Sequence, residues 1–461
     1  MTARDFTPRP YQVMVTDFIL DHDRCAVWAG MGTGKTPATL NAIDTALLLE
    51  DGPVLVVAPL RVARTTWPDE VRKWRHLKHL RMVTITGSAA ERQRALKVPA
   101  DIYTTNFESL PWLVEYWGER WPYRIVVVDE ATKLKGFRLR QGTARAKALG
   151  RVAHSKIKRL VLLTGTPSPN GLADLWGQMW FVDKGHRLGR TYDDFRMRWF
   201  EKSYDGYSVT AKDHAQAQIQ RALADVCITI DAKDWFDLRE PIVNNIYVDL
   251  PAKARALYED MEKRMFMELE EHAVEAFGAA ARTVKCLQIA NGAAYVGDYG
   301  QEWREIHDEK LAALDEVIEE ACGVPVLVSY QFKSDLARLQ KAFPDGILLS
   351  TDEGLRRAQR GEGRVWFGHP ASMGHGVDGL QNHCNILVFF GLDWNLENRL
   401  QIIERVGPTR QMQAGKDRPV FIHNILARGT VDEMVLERVN TKRAVQDILL
   451  DAMKQKYACT S

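Results

Sequence analysis

The sequence is poor in cysteine, in net charge and in long apolar runs, and each shortage excludes a class of protein. The six cysteines among 461 residues form no Cys-x-x-Cys pair and no Cys/His cluster, so we expect no zinc site and a reducing cytosol. No apolar run is long enough to span a membrane, and the polar segment 1–10 lacks the apolar core of a signal peptide. At 46% apolar and 26% charged residues, the composition is that of an ordinary globular protein.

The net charge is only +2, so the overall balance indicates no polyanionic partner. One stretch departs from this balance, because residues 131–160 contain ten basic residues and no acidic residue. Such a run is either a phosphate-binding surface or a solvated face, and the sequence leaves both open. The ten positions are Lys133, Lys135, Arg138, Arg140, Arg145, Lys147, Arg151, Lys156, Lys158 and Arg159.

Residues 29–36 read Ala-Gly-Met-Gly-Thr-Gly-Lys-Thr, between an apolar run at 25–28 and a helical pattern at 38–49. A strand, a glycine-rich turn ending in Lys-Thr and a helix together predict a P-loop that binds a nucleoside triphosphate. Lys35 would hold the outer phosphates, and Thr36 would offer its hydroxyl to Mg²⁺. The glycines whose backbone N–H groups would surround the phosphate oxygens are Gly30, Gly32 and Gly34.

A P-loop needs an acidic partner at the end of a nearby strand. The apolar run 125–128 ends in Asp129 and Glu130, which is the expected pattern. Asp129 would hold Mg²⁺, directly or through water, and Glu130 would orient and deprotonate the attacking water. This pair favours hydrolysis over phosphoryl transfer to a substrate.

Two later segments supply candidates for coupling and charge neutralisation. Thr164 and Thr166 follow the apolar run 159–163 and would hydrogen-bond the acidic pair, although the segment is equally typical of a Gly-Pro turn. The segment 401–411 carries the other candidates. Gln401 is a coupling residue there, and Arg405 and Arg410 would neutralise charge on the transferring phosphate as arginine fingers.

Short apolar runs alternate with helical patterns in two regions of the chain, which is typical of parallel sheets covered on both faces. We therefore predict an α/β protein with domains at 1–175 and 241–461, joined by a mostly helical insertion and linker at 176–240. The candidate strands are 25–28, 54–58, 82–86, 101–104, 125–128 and 159–163 in the first domain, and 245–248, 326–329, 346–349, 365–368, 386–390 and 420–425 in the second.

The ordered motifs resemble those of superfamily 2 helicases of the Swi/Snf type, and in particular the phage- and prophage-associated DEAD/DEAH-box branch. The resemblance implies two RecA-like P-loop domains, ATP and Mg²⁺ as cofactors and DNA as partner. It assigns Gln12, in Arg-Pro-Tyr-Gln, to reading the adenine base, and it implies the bacterial host cytoplasm for a phage-encoded member. Further matching segments are 57–60 with Trp67, Glu70 and Trp74, then 104–108, 129–135, 163–170, 174–176, 180–200, 288–292, 307–310, 326–332, 372–381, 393–395 and 401–411.

Within this resemblance, DNA contacts are expected to be largely independent of sequence and sensitive to salt, because they would grip the phosphate backbone. The candidate contacts are Arg61, Arg64, Thr105, Lys133, Lys135 and Gly376. Three positions depart from the family pattern, namely Thr132 in motif II, Asp378 in motif V and Pro408 in motif VI. Because Pro408 stands where a second arginine is usual, Arg405 is the stronger finger candidate, and geometry must decide for Arg410.

The leading hypothesis is an ATP-driven motor that moves along duplex or branched DNA, with single-stranded DNA as a further track and a strand-separating pin conceivable in the loop 295–303. The alternatives are an ATP-gated DNA-binding switch or scaffold with slow hydrolysis, and a one-domain P-loop kinase or transporter ATPase with an unrelated appendage. Intact Glu130 and Arg405 disfavour the switch, and the second α/β region disfavours the kinase. We expect a monomer without membrane association, with replication, recombination or restriction proteins as candidate partners.

Overall fold

The computed structural model describes residues 3–30, 33–202, 209–231, 234–235, 238–271, 276–296, 302–373, 377–416 and 418–454. The chain forms two compact units, one comprising Met1–Asp237 with Lys442–Ser461 and the other Leu238–Thr441. None of the helices in these described ranges has the length and apolarity that crossing a membrane requires.

The first unit contains a seven-stranded parallel sheet in its described part, with strand order β3-β4-β2-β5-β6-β1-β9. Its strands are β1 (Arg24–Ala29), β2 (Val54–Ala58), β3 (Met82–Ile85), β4 (Ile102–Asn106), β5 (Ile125–Asp129), β6 (Arg159–Thr164) and β9 (Cys227–Ile230). An antiparallel pair, β7 (Phe200–Lys202) and β8 (Val209–Ala211), lies outside this sheet. The helices are α1 (Pro10–Asp21), α2 (Lys35–Ala46), α3 (Trp67–Lys73), α4 (Ala89–Leu96), α5 (Leu110–Trp117), α6 (Ala144–Ala153), α7 (Leu175–Asp183), α8 (Tyr192–Trp199) and α9 (Ala215–Leu223).

The strands of this sheet are continuously apolar because both faces are covered. Along β1, Ala26 and Trp28 enter one core cluster, whereas Cys25, Val27 and Ala29 enter the cluster on the opposite face. This alternation follows from the two-residue period of a strand. The sheet is thereby fixed on both sides, and its strand ends are rigid positions for functional groups.

The second unit has a six-stranded parallel sheet in its described part, with order β10-β17-β16-β13-β15-β14. Its strands are β10 (Ile242–Val248), β13 (Val326–Ser329), β14 (Ile347–Leu348), β15 (Val365–Gly368), β16 (Ile386–Phe389) and β17 (Phe421–Ala427), and β11 (Ala293–Val296) pairs with β12 (Glu302–Glu305) as an antiparallel hairpin. The helices are α10 (Ala252–Glu271), α11 (Ala276–Asn291), α12 (Glu309–Glu320), α13 (Lys333–Ala342), α14 (Asp352–Gln359), α15 (Pro370–Met373), α16 (Leu396–Val406), α17 (Pro408–Gln413) and α18 (Val431–Lys454).

A buried polar network crosses the core of this second unit. Lys310 and Asp432 are both fully buried, and their charged groups lie 2.7 Å apart. Lys310 also donates to Oδ1 of Asn291 at 2.8 Å, and the amide of Asn291 donates to Asp335 at 3.0 Å. Since buried charges are costly without partners, this network restricts how α12, α13 and α18 pack together.

The predicted fold class is confirmed, because both units are α/β with parallel sheets flanked by helices, as in RecA-like domains. The predicted boundaries at residues 175 and 240 stay predictions. Within the predicted insertion, α7, α8 and α9 are helical as expected, but β9 is a strand of the first sheet and pairs with β1.

Candidate functional site

Three strand ends of the first unit bring the predicted nucleotide-binding residues to one edge of the sheet. Strand β6 lies between β1 and β5, with Trp28 opposite Thr164 and Asp129 opposite Leu163. The P-loop follows β1 directly, and Glu130 follows β5. Because the strands are parallel, these groups meet at the carboxyl edge, where α/β proteins bind ligands.

The described part of the P-loop is held by its own hydrogen bonds. Nζ of Lys35 donates to the backbone oxygens of Ala29 at 2.6 Å and Gly30 at 3.2 Å, so the ammonium group is folded back over the loop. The Thr33 hydroxyl donates to the Gly30 oxygen at 2.7 Å. Thr36 is half-buried in the first turn of α2. Gly32 lies outside the described residues.

Gln12 contacts the P-loop from α1. Its Nε2 donates to the backbone oxygens of Thr33 at 3.3 Å and Gly34 at 3.5 Å, and its Oε1 accepts from the Arg9 N–H at 2.9 Å. Gly34 has φ +78° and precedes the first residue of α2, so it makes the turn into that helix in a conformation that favours glycine. Gln12 is therefore beside the nucleotide-binding loop, and its reading of adenine stays a prediction.

Asp129 is buried, and its carboxylate is held by a tryptophan. Nε1 of Trp67 donates to Oδ2 of Asp129 at 2.9 Å, and Trp67 is 0% exposed. Burial raises the pKa of Asp129, although the Lys35 charge and the Trp67 hydrogen bond act in the opposite direction. Because burial destabilises the ionised form of Asp129, a nearby cation would strongly stabilise that form.

Glu130 has a left-handed backbone, with φ 64° and ψ 59°, and is also buried. A residue with a side chain seldom adopts positive φ, and such strain is concentrated at functional sites. The conformation ends β5 abruptly and starts the short 3₁₀ turn Ala131–Leu134. The two carboxylates of the predicted pair are thus separated by a sharp change in chain direction.

Thr164, the last residue of β6, and Thr166, two residues later, are buried and bonded to each other. The Thr166 N–H donates to Oγ1 of Thr164 at 3.1 Å. Oγ1 of Thr166 and Oγ of Ser168 are buried and have no hydrogen-bond partner among the described residues. These hydroxyls lie in the segment that follows the strand between the P-loop and the acidic pair, and their coupling role stays a prediction.

Arg61 and Arg64, two predicted DNA contacts, lie at a π-helical turn, Val62–Thr66, that leads into α3. Arg61 is half-buried, and Arg64 is exposed with its Nε 3.0 Å from the Thr86 hydroxyl. A π turn is rare and occurs often at functional sites. Both arginines are therefore carried by a specially shaped segment just before Trp67.

The other predicted DNA contacts have mixed surroundings. Thr105 is fully buried, and its hydroxyl donates to the Ile85 oxygen at 2.9 Å, so its contact with DNA stays a prediction. Lys133 is half-buried. Lys135 lies 3.7 Å from the carboxylate of Asp174. Gly376 lies outside the described residues.

Much of the basic run 131–160 contacts other parts of the protein. Arg159 donates to three backbone oxygens at the end of α1, and the guanidinium of Arg138 lies 3.3 Å from the ring centroid of Tyr192. The ion pairs of the run among the described residues are Lys135–Asp174, Arg145–Glu108, Lys156–Glu119, Lys158–Glu50 and Arg159–Asp23. These contacts favour a structural role for those members over one continuous phosphate-binding surface.

In the second unit, Gln401 and Arg405 lie on α16 and are buried. Nε2 of Gln401 donates to the Glu397 carboxylate at 3.3 Å. The guanidinium of Arg405 donates to the Val377 oxygen at 2.8 Å. Both side chains are thus fixed in place, as a positioned charge requires.

Arg410 lies on α17 and pairs with Asp378, with 3.2 Å between Nη1 and Oδ1. Burial acts to raise the pKa of Asp378, but Arg410, Gln381 and neighbouring groups outweigh it and lower the pKa. Pro408 is the first residue of α17, a position where its missing N–H costs nothing. The departure from the family pattern therefore begins a helix, and Arg410 is engaged with a carboxylate of its own unit.

Sequence reasoning did not assign the role of several site residues. Trp67 was matched as part of a motif, but its hydrogen bond to Asp129 joins residues 62 positions apart. Gln178 is buried and donates to the Pro167 oxygen at 2.7 Å, which supports the turn after β6. A tryptophan or glutamine inside a helix carries no sequence signal that distinguishes such a contact from ordinary packing.

The P-loop, the acidic pair and the strand between them define a RecA-like P-loop protein. Residues 22–292, more than half of the chain, match the SNF2-related domain. The p41 protein of Acyrthosiphon pisum secondary endosymbiont phage 1 is 53% identical over 461 residues, which is 98% of this chain and 100% of that protein. The chain therefore belongs to the SNF2-related family, and the predicted Swi/Snf-type resemblance with a phage relative is confirmed.

Two further proteins are similar over nearly the whole chain. The chromodomain-helicase-DNA-binding protein 1-like of Danio rerio is 23% identical over 493 residues, which is 96% of this chain and 44% of that protein. The solved structure of the Sulfolobus solfataricus SWI2/SNF2 ATPase core in complex with dsDNA covers 98% of this chain and 94% of its own, with 22% identity and a TM-score of 0.45.

Proposed function

We propose that this protein hydrolyses ATP and uses the hydrolysis to move along the backbone of duplex or branched DNA. The observation that carries the proposal is the meeting of the P-loop, Asp129 and Glu130 at one edge of the sheet, at the ends of the two strands that flank β6. Membership of the SNF2-related family supports an ATP-dependent, DNA-directed activity.

The residues present fit a magnesium ion. Asp129 offers a buried carboxylate and Thr36 a hydroxyl, and hard oxygen ligands of this kind suit Mg²⁺. Among the described residues, no group of three or more His, Cys, Asp or Glu side chains is arranged to hold a metal. This agrees with a site in which one carboxylate, one hydroxyl and the substrate phosphates would share the ion. When bound, Mg²⁺ supplies positive charge that stabilises the transferring phosphate.

Each site residue has a distinct chemical task in this proposal. Lys35 and the backbone N–H groups of the P-loop bind the phosphates, and Gln12 contacts the adenine. Glu130 orients a water molecule for in-line attack and accepts its proton. Arg405 would contribute positive charge in the transition state, and Arg410 is a weaker candidate because it already pairs with Asp378.

DNA is the proposed partner because the family and a named relative support it. The Danio rerio relative carries helicase and DNA-binding in its name. Arg61 and Arg64, at the π turn, are good candidates among the six predicted contacts, since both are cationic and neither is fully buried. Contacts to phosphate would make binding salt-sensitive and largely independent of base sequence.

A triplex-displacement assay tests movement directly. A labelled third strand is annealed to duplex DNA, and its release is followed with ATP, with a non-hydrolysable analogue, and with the Glu130→Gln variant. Movement predicts ATP-dependent release that the analogue and the variant abolish. ATP hydrolysis stimulated by DNA without any release would contradict movement along DNA. Tight ATP-gated DNA binding with little hydrolysis would instead favour the DNA-binding switch.

A further inference from the structure

The hydrogen bond from Trp67 to Asp129 joins two sites that the proposed function keeps separate. Trp67 is the first residue of α3 and directly follows the π turn that carries Arg61 and Arg64. Its ring is 0% exposed, and its N–H ends on Oδ2 of Asp129 at 2.9 Å. One rigid side chain therefore spans from the proposed DNA-binding turn to the proposed magnesium carboxylate.

The π turn itself is fixed by strand hydroxyls. The Thr104 hydroxyl, which is fully buried, donates to the Ala63 oxygen at 2.8 Å, and the Thr84 hydroxyl lies 3.4 Å from the same oxygen. A π turn disturbs the regular helical bonding pattern, so a side-chain donor to its backbone stabilises that particular shape. Thr104 also precedes Thr105, another predicted DNA contact, so β4, the turn and Trp67 form one continuous set of contacts.

We propose that Trp67 is a positioning residue that orients the Asp129 carboxylate for Mg²⁺ and transmits DNA binding at the π turn to that carboxylate. This inference rests on the proposed DNA-dependent ATPase function. A shift of the turn on phosphate contact would move the start of α3, and the indole N–H would move with it. A hydrogen bond to a charged carboxylate is strong enough to select one orientation of that group.

The chain provides a matched control at Trp74, the residue that directly follows α3. Nε1 of Trp74 donates to Oε2 of Glu70 at 2.6 Å, and that carboxylate also pairs with Lys73. The two tryptophans thus make the same kind of hydrogen bond, but only Trp67 ends on a residue of the nucleotide site. If the loss of an indole N–H has a general effect on the protein, the variants at residues 67 and 74 should both show it.

The test replaces each tryptophan separately by benzothienylalanine, which keeps the bicyclic shape and substitutes sulfur for the N–H. Trp67→Phe serves as a second variant, with thermal unfolding as the check that each protein is folded. Binding of a fluorescent ATP analogue is titrated with and without Mg²⁺. When the N–H at residue 67 is lost, we expect the Mg²⁺ concentration needed for tight binding of the ATP analogue to rise about tenfold. This factor corresponds to the loss of one hydrogen bond to a charged group. Binding without Mg²⁺ stays unchanged, as do all measurements on the residue 74 control.

Transmission is tested by the stimulation of hydrolysis by DNA. Removing the N–H at residue 67 should reduce the stimulation several-fold. Thr104→Val removes the closer of the two hydroxyls that contact the π turn, and it should reduce the stimulation as well, without altering Mg²⁺ dependence in the absence of DNA. Wild-type Mg²⁺ dependence and DNA stimulation in the residue 67 variants would overturn the inference, as would equal losses in the residue 74 control. A wild-type protein that neither binds ATP nor responds to DNA would instead contradict the proposed function, and the inference with it.

Discussion

Nε2 of Gln12 lies 3.3 Å from the backbone oxygen of Thr33, so α1 supports the phosphate-binding turn through a single amide group. The same amide reaches the Gly34 oxygen at 3.5 Å. Helix α1 and the P-loop are therefore in direct contact. A substitution at Gln12 should therefore alter the P-loop, and a substitution in the P-loop should alter the position of Gln12.

Gly34→Ala is expected to weaken ATP binding at least about tenfold. The positive φ of Gly34 disfavours a side chain, and a Cβ at this position would collide with Nε2 of Gln12. The measurement is the affinity for a fluorescent ATP analogue. Gly118→Ala is the matched control, because Gly118 also has positive φ but open space for a Cβ. It should lower stability by about 1–3 kcal/mol and leave ATP binding unchanged, whereas equal loss of ATP binding in both variants would contradict the contact.

Arg405→Lys is expected to slow ATP hydrolysis at least about a hundredfold with little change in ATP binding, since lysine cannot reproduce the guanidinium geometry of an arginine finger. Arg410→Lys should cost less, because Arg410 pairs with Asp378. Arg399→Lys is a control on the same helix, where Arg399 is buried and donates to Asn424. This control should lower the melting temperature without a comparable loss of hydrolysis. Normal hydrolysis by folded Arg405→Lys would exclude the finger role.

Two buried titratable groups of the second unit, Asp335 of the polar network and His307, should give opposing pH effects. Burial raises the pKa of Asp335 to about 6, despite N–H donors from Phe332 and Gln331. Burial lowers the pKa of His307 to about 4. Ordinary values in the unfolded chain are about 3.9 and 6.5. As pH falls from 6.5 to 4, the unfolded histidine gains a proton first, which destabilises the fold, whereas native Asp335 gains its proton first, which stabilises it.

The two effects should largely cancel in the wild type and separate in variants. Asp335→Asn should lose up to about 3 kcal/mol of stability between pH 6.5 and 4, because only the histidine effect remains. His307→Gln should show the opposite slope over the same range. Denaturant unfolding at a series of pH values measures both. Variants that keep the wild-type pH profile would show that these groups do not titrate as described.

The parallel strands were predictable because their apolar runs are continuous. The predicted bounds of β2, β13 and β15 agree with the structure, since each is a short buried run with a clear boundary: β2 lies between two prolines, β13 follows a proline, and β15 lies between an arginine and a histidine. Strand β9 was missed because Cys227–Ile230 is short and follows a helix, and it becomes a strand by pairing with β1. The β11–β12 hairpin falls where a pin was considered, at a segment whose alternation is weak.

The candidate site residues were predictable where they belong to a motif of consecutive residues. Lys35, Asp129 and Glu130 occur in short motifs, and the structure places those motifs at one edge of the sheet, while the chemical roles of the three residues stay predictions. The hydrogen bonds that hold the site in place were not predictable. Trp67 donates to Asp129 and Thr104 donates to Ala63, and both pairs lie far apart in the sequence. Such contacts depend on strand order, which periodicity does not reveal.

The most direct test of the central claim is the rate of ATP hydrolysis without nucleic acid and with single-stranded DNA, duplex DNA, branched DNA or RNA, with Glu130→Gln as the blank. The proposed function predicts strong stimulation by duplex or branched DNA and loss of that activity in the variant, which should still bind ATP. Stimulation by RNA alone would assign the protein to RNA. A rate that no nucleic acid changes would contradict a DNA-driven motor.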